Sequence, residues 1–310
     1  RSVSAFLLNR SSDLEIRKIE NVLKSWLDDP SHKPLVVKGV RQCGKTSSIV
    51  DFAHKHFKYV VYLDFREHPD YKKFFTPNLE VDAIIMRITA AMPSVEIEAG
   101  ETCFVFDEIQ DCPKARGSLK YFYLDGRYEV MCTGSLLGVI GYKTQEEKKE
   151  EEEASIPVGF EDIVDMYPMD FEEWLWDNGI KDMHFEYLRK CLVSETPVEE
   201  ALHERFRELL HQFVVVGGMP EVVTTFMDTK QIGKVLAVQR HIVDEYKSDM
   251  VKYAATADKS RIRECFESIP AQLAREYKKF SYTLVRKGGR GRDYAGRSLD
   301  RKSGSAGMPR

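Results

Sequence analysis

Between Leu14 and Leu27 the apolar residues Leu14, Ile16, Ile19, Val22, Leu23, Trp26 and Leu27 recur mostly three and four positions apart. That spacing predicts an amphipathic helix lying on a core. After Pro30 the period changes. Short apolar runs, PLVVKG, YVVYLDF, TCFVFDE and YEVMCTG, are rich in β-branched and aromatic residues and are separated by stretches of helix length. They read as strands, and their nearly continuous apolar character predicts burial on both faces, as in a parallel sheet covered by helices. A fifth strand is expected in FEDIVDMYP, ending near Pro168, then a helix capped by Asp170 with acidic residues in its first turn. From about Pro197 onward the pattern is helical. Pro197 is expected at a helix start, and Gly217 and Gly218 close a helix running through LHERFRELLHQFVVV.

Composition narrows the class. With 310 residues, 43% apolar and 31% charged, the chain resembles an ordinary globular protein large enough for two domains. Its formal net charge of -4 gives no global attraction to nucleic acid or to an anionic membrane, so any such partner must be sought in local patches. The six cysteines form no CxxC pair and several lie in strand-like segments, which fits a reducing compartment. No apolar run approaches the roughly 18 to 20 residues of a bilayer span, and no signal-peptide pattern opens the chain. A cytoplasmic protein without a membrane partner is expected. The run KTQEEKKEEEEA after Tyr142 has nothing to bury and reads as solvated.

Candidate chemistry begins at the end of the first strand. Gly39, Val40, Arg41, Gln42, Cys43, Gly44, Lys45 and Thr46 match GxxxxGK[ST] in full and directly follow PLVV, the context that gives this motif its meaning. Backbone N–H groups of such a loop converge on phosphates, and the helix beginning near Lys45, with Ser47 in its first turn, adds its positive dipole end. Lys45 is placed to reach the β- and γ-phosphates, and the Thr46 hydroxyl to bind Mg²⁺. A second strand, Cys103 to Phe106, delivers Asp107 and Glu108 to its C-terminal end, where ligands sit in open α/β sheets. Asp107 is the expected second Mg²⁺ residue and Glu108 the group that orients or deprotonates an attacking water. The alternative is that both carboxylates merely cap the next helix. At the end of YEVMCTGS, Thr133 or Ser135 is a candidate sensor of the γ-phosphate or lytic water, small polar residues there being ordinary helix caps as well. The eight histidines show no ligand spacing. Trp174 and Trp176 read as docking aromatics rather than a ligand platform.

Taken together, GVRQCGKT, FVFDEIQ, CTGSLLG, YPMDFEEWL and VGGMPEVV resemble the prokaryotic AAA-type ATPases in which a P-loop core is followed by a C-terminal domain of unknown function. The likeness runs from about residue 13 to about residue 300. It implies an α/β fold: a three-layer P-loop NTPase domain with a central parallel sheet of about five strands, then a mainly helical domain. The expected division is residues 1–175 for the core with its N-terminal helix, 176–285 for the helical domain, and 286–310 for a basic, Gly-rich tail resembling a truncated winged-helix-like module. Mg²⁺ and ATP are the implied cofactors, with hydrolysis by in-line attack of water on the γ-phosphate. Base contacts are expected from the N-terminal segment. Two other functions remain open: a slow switch held in its ATP-bound state, and an ATPase that contacts DNA through the basic C-terminal segment. The partner beyond ATP, whether protein or DNA, and the oligomeric state are not legible in the sequence.

Overall fold

A computed structural model describes residues 17–135, 159–252, 259–277 and 279–290. Leu14, Ile16, the charged run after Tyr142 and the tail beyond residue 290 lie outside the described residues. Cα proximity divides the chain into two compact units, Arg1–Val235 and Leu236–Arg310.

The first unit is built on five strands, β1 (Leu35–Gly39), β2 (Tyr59–Asp64), β3 (Thr102–Asp107), β4 (Glu129–Ser135) and β5 (Asp162–Met166). All are parallel, in the order β2-β3-β4-β1-β5. Each of the four expected apolar runs and the fifth segment became a strand. Along β3 the side chains alternate between two cores: Cys103 and Val105 face one, Phe104 and Phe106 the other. Both faces are therefore apolar, and the alternation that marks a half-exposed strand is absent from the sequence. Helices α1 (Lys18–Asp28) and α2 (Lys45–His56) cover the first face with Leu23, Trp26, Ile49 and Phe52. Helices α3 (Val81–Ala91) and α4 (Pro113–Asp125) cover the second with Ile84, Ile88, Leu119 and Phe122.

After β5 comes α5 (Phe171–Asp177), opened by a reciprocal cap in which Asp170 accepts from the Glu173 N–H and Glu173 accepts from the Asp170 N–H. Helices α6 (Asp182–Val193), α7 (Glu200–Val216) and α8 (Pro220–Thr229) follow within the same unit. Pro197 lies three positions before the first helical residue of α7, a small correction to its expected place. Gly217 ends α7 at φ +76°, a conformation that favours glycine. Gly218 is needed for a different reason: a Cβ there would stand 1.9 Å from the Met169 carbonyl oxygen. The Met169 N–H donates to the Gly218 carbonyl at 2.7 Å, stitching the segment before α5 to the start of α8. Trp174 is fully buried between Phe213 of α7 and Phe226 of α8.

Helix α9 (Ile232–Lys252) follows, and the second unit holds α10 (Lys259–Leu273) and the single turn α11 (Tyr282–Val285). No helix among the described residues is long and apolar enough to cross a membrane.

Candidate functional site

Parallel strands bring their C-terminal ends to one edge of the sheet, and the strand order decides what meets there. Because β4 lies between β1 and β3, the end of β4 sits between the glycine loop and the acidic pair. Gly39 is in register with Ser135 on one side and with Met166 of β5 on the other. A Cβ on Gly39 would fall 2.2 Å from the Met166 carbonyl oxygen, so β5 itself demands the first glycine of the motif. The last glycine, Gly44, adopts φ +93° as the residue before α2. The loop between them therefore curls into the start of a twelve-residue helix, whose positive dipole end faces it.

Lys45 is buried, and its Nζ donates to the carbonyls of Gly39 at 3.1 Å and Val40 at 2.8 Å. Its ammonium thus lies over the loop that it closes. The Thr46 hydroxyl donates to both carboxylate oxygens of Asp107, at 3.0 and 3.1 Å. This pairing across the sheet is the closest structural counterpart of the expected metal pair. Two further hydroxyls converge on Asp107: Tyr62 of β2 donates to Oδ2 at 2.6 Å, and Thr133 of β4 donates to Oδ1. Burial and then the neighbouring Asp107 carboxylate push the Tyr62 phenol far above its ordinary pKa, so it remains a donor. An all-oxygen set of one carboxylate and a hydroxyl fits a hard cation such as Mg²⁺, which takes few protein ligands and retains waters. Ser47, by contrast, turns its hydroxyl back to the Gly44 carbonyl at 3.0 Å. The Cys43 thiol faces the Met166 carbonyl at 3.7 Å and is pushed up in pKa by burial.

Glu108 leaves β3 in the left-handed region, with φ +54°, uncommon for a non-glycine residue and a mark of local constraint. Its N–H donates to Asp107 Oδ1 at 3.1 Å and to Thr133 Oγ1 at 3.2 Å. Its carboxylate turns to Arg66, at 3.2 Å from Nη2, and accepts from the Gln110 amide. Arg66 also donates to Asp111 at 3.0 Å. The other end of Gln110 accepts the Ser135 N–H at 3.2 Å. Thr133 and Ser135 are thereby distinguished: the Thr133 side chain joins Asp107 and the Glu108 backbone, whereas Ser135 enters this network through its backbone N–H.

Side chains from outside the sheet edge also hold the glycine loop. Arg17, 9% exposed, donates to Glu173, 5% exposed, at 3.0 Å, to the Cys43 carbonyl at 3.2 Å and to the Tyr167 carbonyl at 3.0 Å. Pro220, the first residue of α8, stands 3.5 Å from the Cβ position of Gly44. The segments YPMDFEEWL and VGGMPEVV thus both abut the loop. Tyr62, Arg66 and Arg17 carry no motif in the sequence, and Gln110 and Glu173 lie inside FVFDEIQ and YPMDFEEWL without a role assigned to them there. The Asp170–Glu173 capping spacing marks Glu173 only as a helix-start residue.

Arg116 and Arg127 are the arginines nearest before β4 in sequence. Each is held by acids: Arg116 by both oxygens of Glu161 at 3.0 and 2.5 Å, Arg127 by Asp125 and Asp82. Residues 1–16, where base contacts are expected, lie outside the described residues.

A parallel sheet with a glycine loop and helix at one strand end and an acidic pair two strands away defines the P-loop NTPase fold. Residues 31–175 match the family model described as an AAA domain, and residues 207–297 match a domain of unknown function (DUF8612). The chain thus carries an AAA-type P-loop domain followed by a domain of unknown function. Among solved structures it is similar to the Walker-type ATPase PABY2304 of Pyrococcus abyssi, at 15% identity and a TM-score of 0.53, covering 94% of this chain and 87% of that one. AMPPCP-bound DnaA from Aquifex aeolicus matches at 11% identity and a TM-score of 0.36, covering 86% and 80%. The Aeropyrum pernix Orc1 protein in complex with DNA matches at 14% identity and a TM-score of 0.34, covering 89% and 75%. Likenesses at such identity concern fold. No curated protein matches the sequence.

Proposed function

We propose that the chain binds Mg·ATP at the glycine loop and hydrolyses it. The observation that carries this proposal is the convergence of Thr46, Tyr62 and Thr133 on the Asp107 carboxylate, beside Lys45 and at the mouth of the glycine loop. A helix cap needs no such set of donors from three neighbouring elements. In the proposed complex, loop N–H groups and the α2 dipole hold the phosphates, and Lys45 exchanges its two carbonyl partners for β- and γ-phosphate oxygens. Thr46 and Asp107 would hold Mg²⁺, which when bound neutralises developing phosphate charge. Tyr62 and Thr133 keep the Asp107 carboxylate oriented. Glu108, kept in place by Arg66 and Gln110, orients the attacking water and accepts its proton.

The test uses two substitutions. Lys45→Ala removes the loop's cation and is expected to abolish most ATP affinity or turnover. Glu108→Gln retains shape while removing the base, so ATP binding persists and hydrolysis falls by about 10²-fold or more. Parental binding and turnover in Lys45→Ala would overturn the site, and parental turnover in Glu108→Gln would reduce Glu108 to a helix-start residue.

A further inference from the structure

The second unit contains a concavity that the nucleotide site does not use. Past the end of α10 and around α11, Arg275, Tyr277, Lys279, Phe280, Tyr282 and Gly289 help to line a space of about 480 Å³. Its walls are fixed by hydrogen bonds to the backbone. Gln272, 7% exposed, donates its side-chain amide to the Ser281 carbonyl at 2.8 Å and accepts the Ser281 N–H at 2.9 Å. On the other side the Gly289 N–H donates to the Arg286 carbonyl at 2.8 Å, closing a turn in which Gly288 has φ +81°. A Cβ on Gly289 would stand 2.7 Å from the Tyr282 carbonyl oxygen, so the returning chain lies directly against the wall.

The lining has two characters. Tyr277 is 80% exposed and Phe280 41% exposed, while Phe280 and Tyr282 meet edge to face at 5.3 Å. Around them the sequence from Arg275 to Arg290 carries Arg275, Lys278, Lys279, Arg286, Lys287 and Arg290 against the single acid Glu276, in a chain whose net charge is -4. Tyr277, with most of its ring in water beside cations, has little packing role. The pairing suits a ligand that alternates flat apolar rings with negative charge, which describes a nucleic-acid strand whose bases are unstacked. The volume accommodates a nucleotide or two and is too small for a duplex.

We infer that this concavity binds single-stranded nucleic acid, stacking a base on Tyr277 or Phe280 and holding adjoining phosphates with Arg275 and Lys279. The inference is independent of ATP hydrolysis, since all of its residues belong to the second unit. The full chain, without nucleotide, is titrated into fluorescein-labelled oligothymidine of about 12 nucleotides, within the span single-strand binders cover. Matched duplex DNA and labelled polyglutamate are titrated in parallel, and anisotropy is read over a range of salt. Oligothymidine is expected to bind most tightly. Tyr277→Ala and Phe280→Ala should each weaken it about tenfold. Lys279→Ala should reduce the steepness of log K against log salt by about 0.7. Tyr277→Ala changes a solvent-facing side chain, so its folding and basal ATP turnover should match those of the parent. Lys45→Ala should retain oligothymidine binding even where ATP binding is lost. Absence of oligothymidine binding, a preference for duplex, or equal binding of polyglutamate with both aromatic substitutions neutral would overturn the assignment, the last identifying an acidic-peptide surface instead.

Discussion

Arg17 and Lys18 are consecutive, both are basic, and both reach acids at the start of α5, yet their removal should differ several-fold in cost. Arg17 and Glu173 have side chains 9% and 5% exposed, and Arg17 also satisfies the Cys43 and Tyr167 carbonyls. Removing one partner of such a buried pair strands a charge, at a cost of about 3–5 kcal/mol. Lys18 is 42% exposed, and its partners Asp170 and Glu172 are 51% and 37% exposed. Solvent screening leaves an exposed pair of this kind worth about 0–1 kcal/mol. Urea unfolding of Arg17→Ala and Lys18→Ala, followed by tryptophan fluorescence, measures both, with unchanged m-values required for a direct comparison. Replacing Arg17 and Glu173 together by Met and Leu should recover much of the loss, because no charge is left unpaired. Under conditions where Arg17→Ala remains folded, its ATP affinity should also fall, since the Cys43 carbonyl loses the donor that fixes the loop. Equal costs for Arg17→Ala and Lys18→Ala, or a loss below about 1 kcal/mol for Arg17→Ala, would refute the argument from burial.

Three further outcomes are expected. Gly39→Ala places a methyl 2.2 Å from the Met166 carbonyl, so the loop or β5 must shift; chemical unfolding should show a loss of about 1–3 kcal/mol, as for overpacking, accompanied by weaker ATP binding. His32 lies 2.7 Å from Glu129; burial alone would lower its pKa, but the Glu129 and Asp29 contacts prevail and raise it. That raised value makes the contribution full below the unfolded pKa of about 6.5 and lost as pH rises through the folded value, so the stability gap between parent and His32→Gln should be wide near pH 6 and narrow toward pH 8. Finally, the arginines before β4 are held by acids and Arg66 is held by Glu108 and Asp111. With these arginines engaged, a finger would have to come from the helical region or from a partner, and the isolated chain should turn over ATP below about 1 s⁻¹ at saturating Mg·ATP; about 10 s⁻¹ or more without any partner would show that the full catalytic set is already present.

Much of the candidate site was legible because its residues are close in sequence. Gly39 to Thr46 form one uninterrupted loop, and Asp107 with Glu108 end one apolar strand. Sequence spacing alone left Thr133 and Ser135 equivalent. Their separation comes from the β3–β4 register, which pairs Phe106 with Cys132 and so brings the next residue, Thr133, beside Asp107. Tyr62, Arg66 and Gln110 act on the site from β2 and from turns after β2 and β3. Tyr62 and Arg66 read like ordinary strand and turn residues, and Gln110, although it closes FVFDEIQ, has no role that its spacing assigns.

The amino-acid sequence on its own determined the strand and helix content of the first unit, the burial of both sheet faces and the position of the glycine loop. These depend on side-chain period, β-branching, glycine placement and capping chemistry, all set within a few residues. Tertiary structure decided the strand order that inserts β4 between the loop and the acidic pair. It also decided the support of the loop by Arg17 and Glu173, which pair across 156 residues of chain, and by Pro220, which reaches Gly44 from the start of α8. Such long-range partners are selected by the packing of whole elements. An arginine that is solvated and one that is buried on a glutamate are spelled the same way, and only the surrounding fold excludes the water that would separate them.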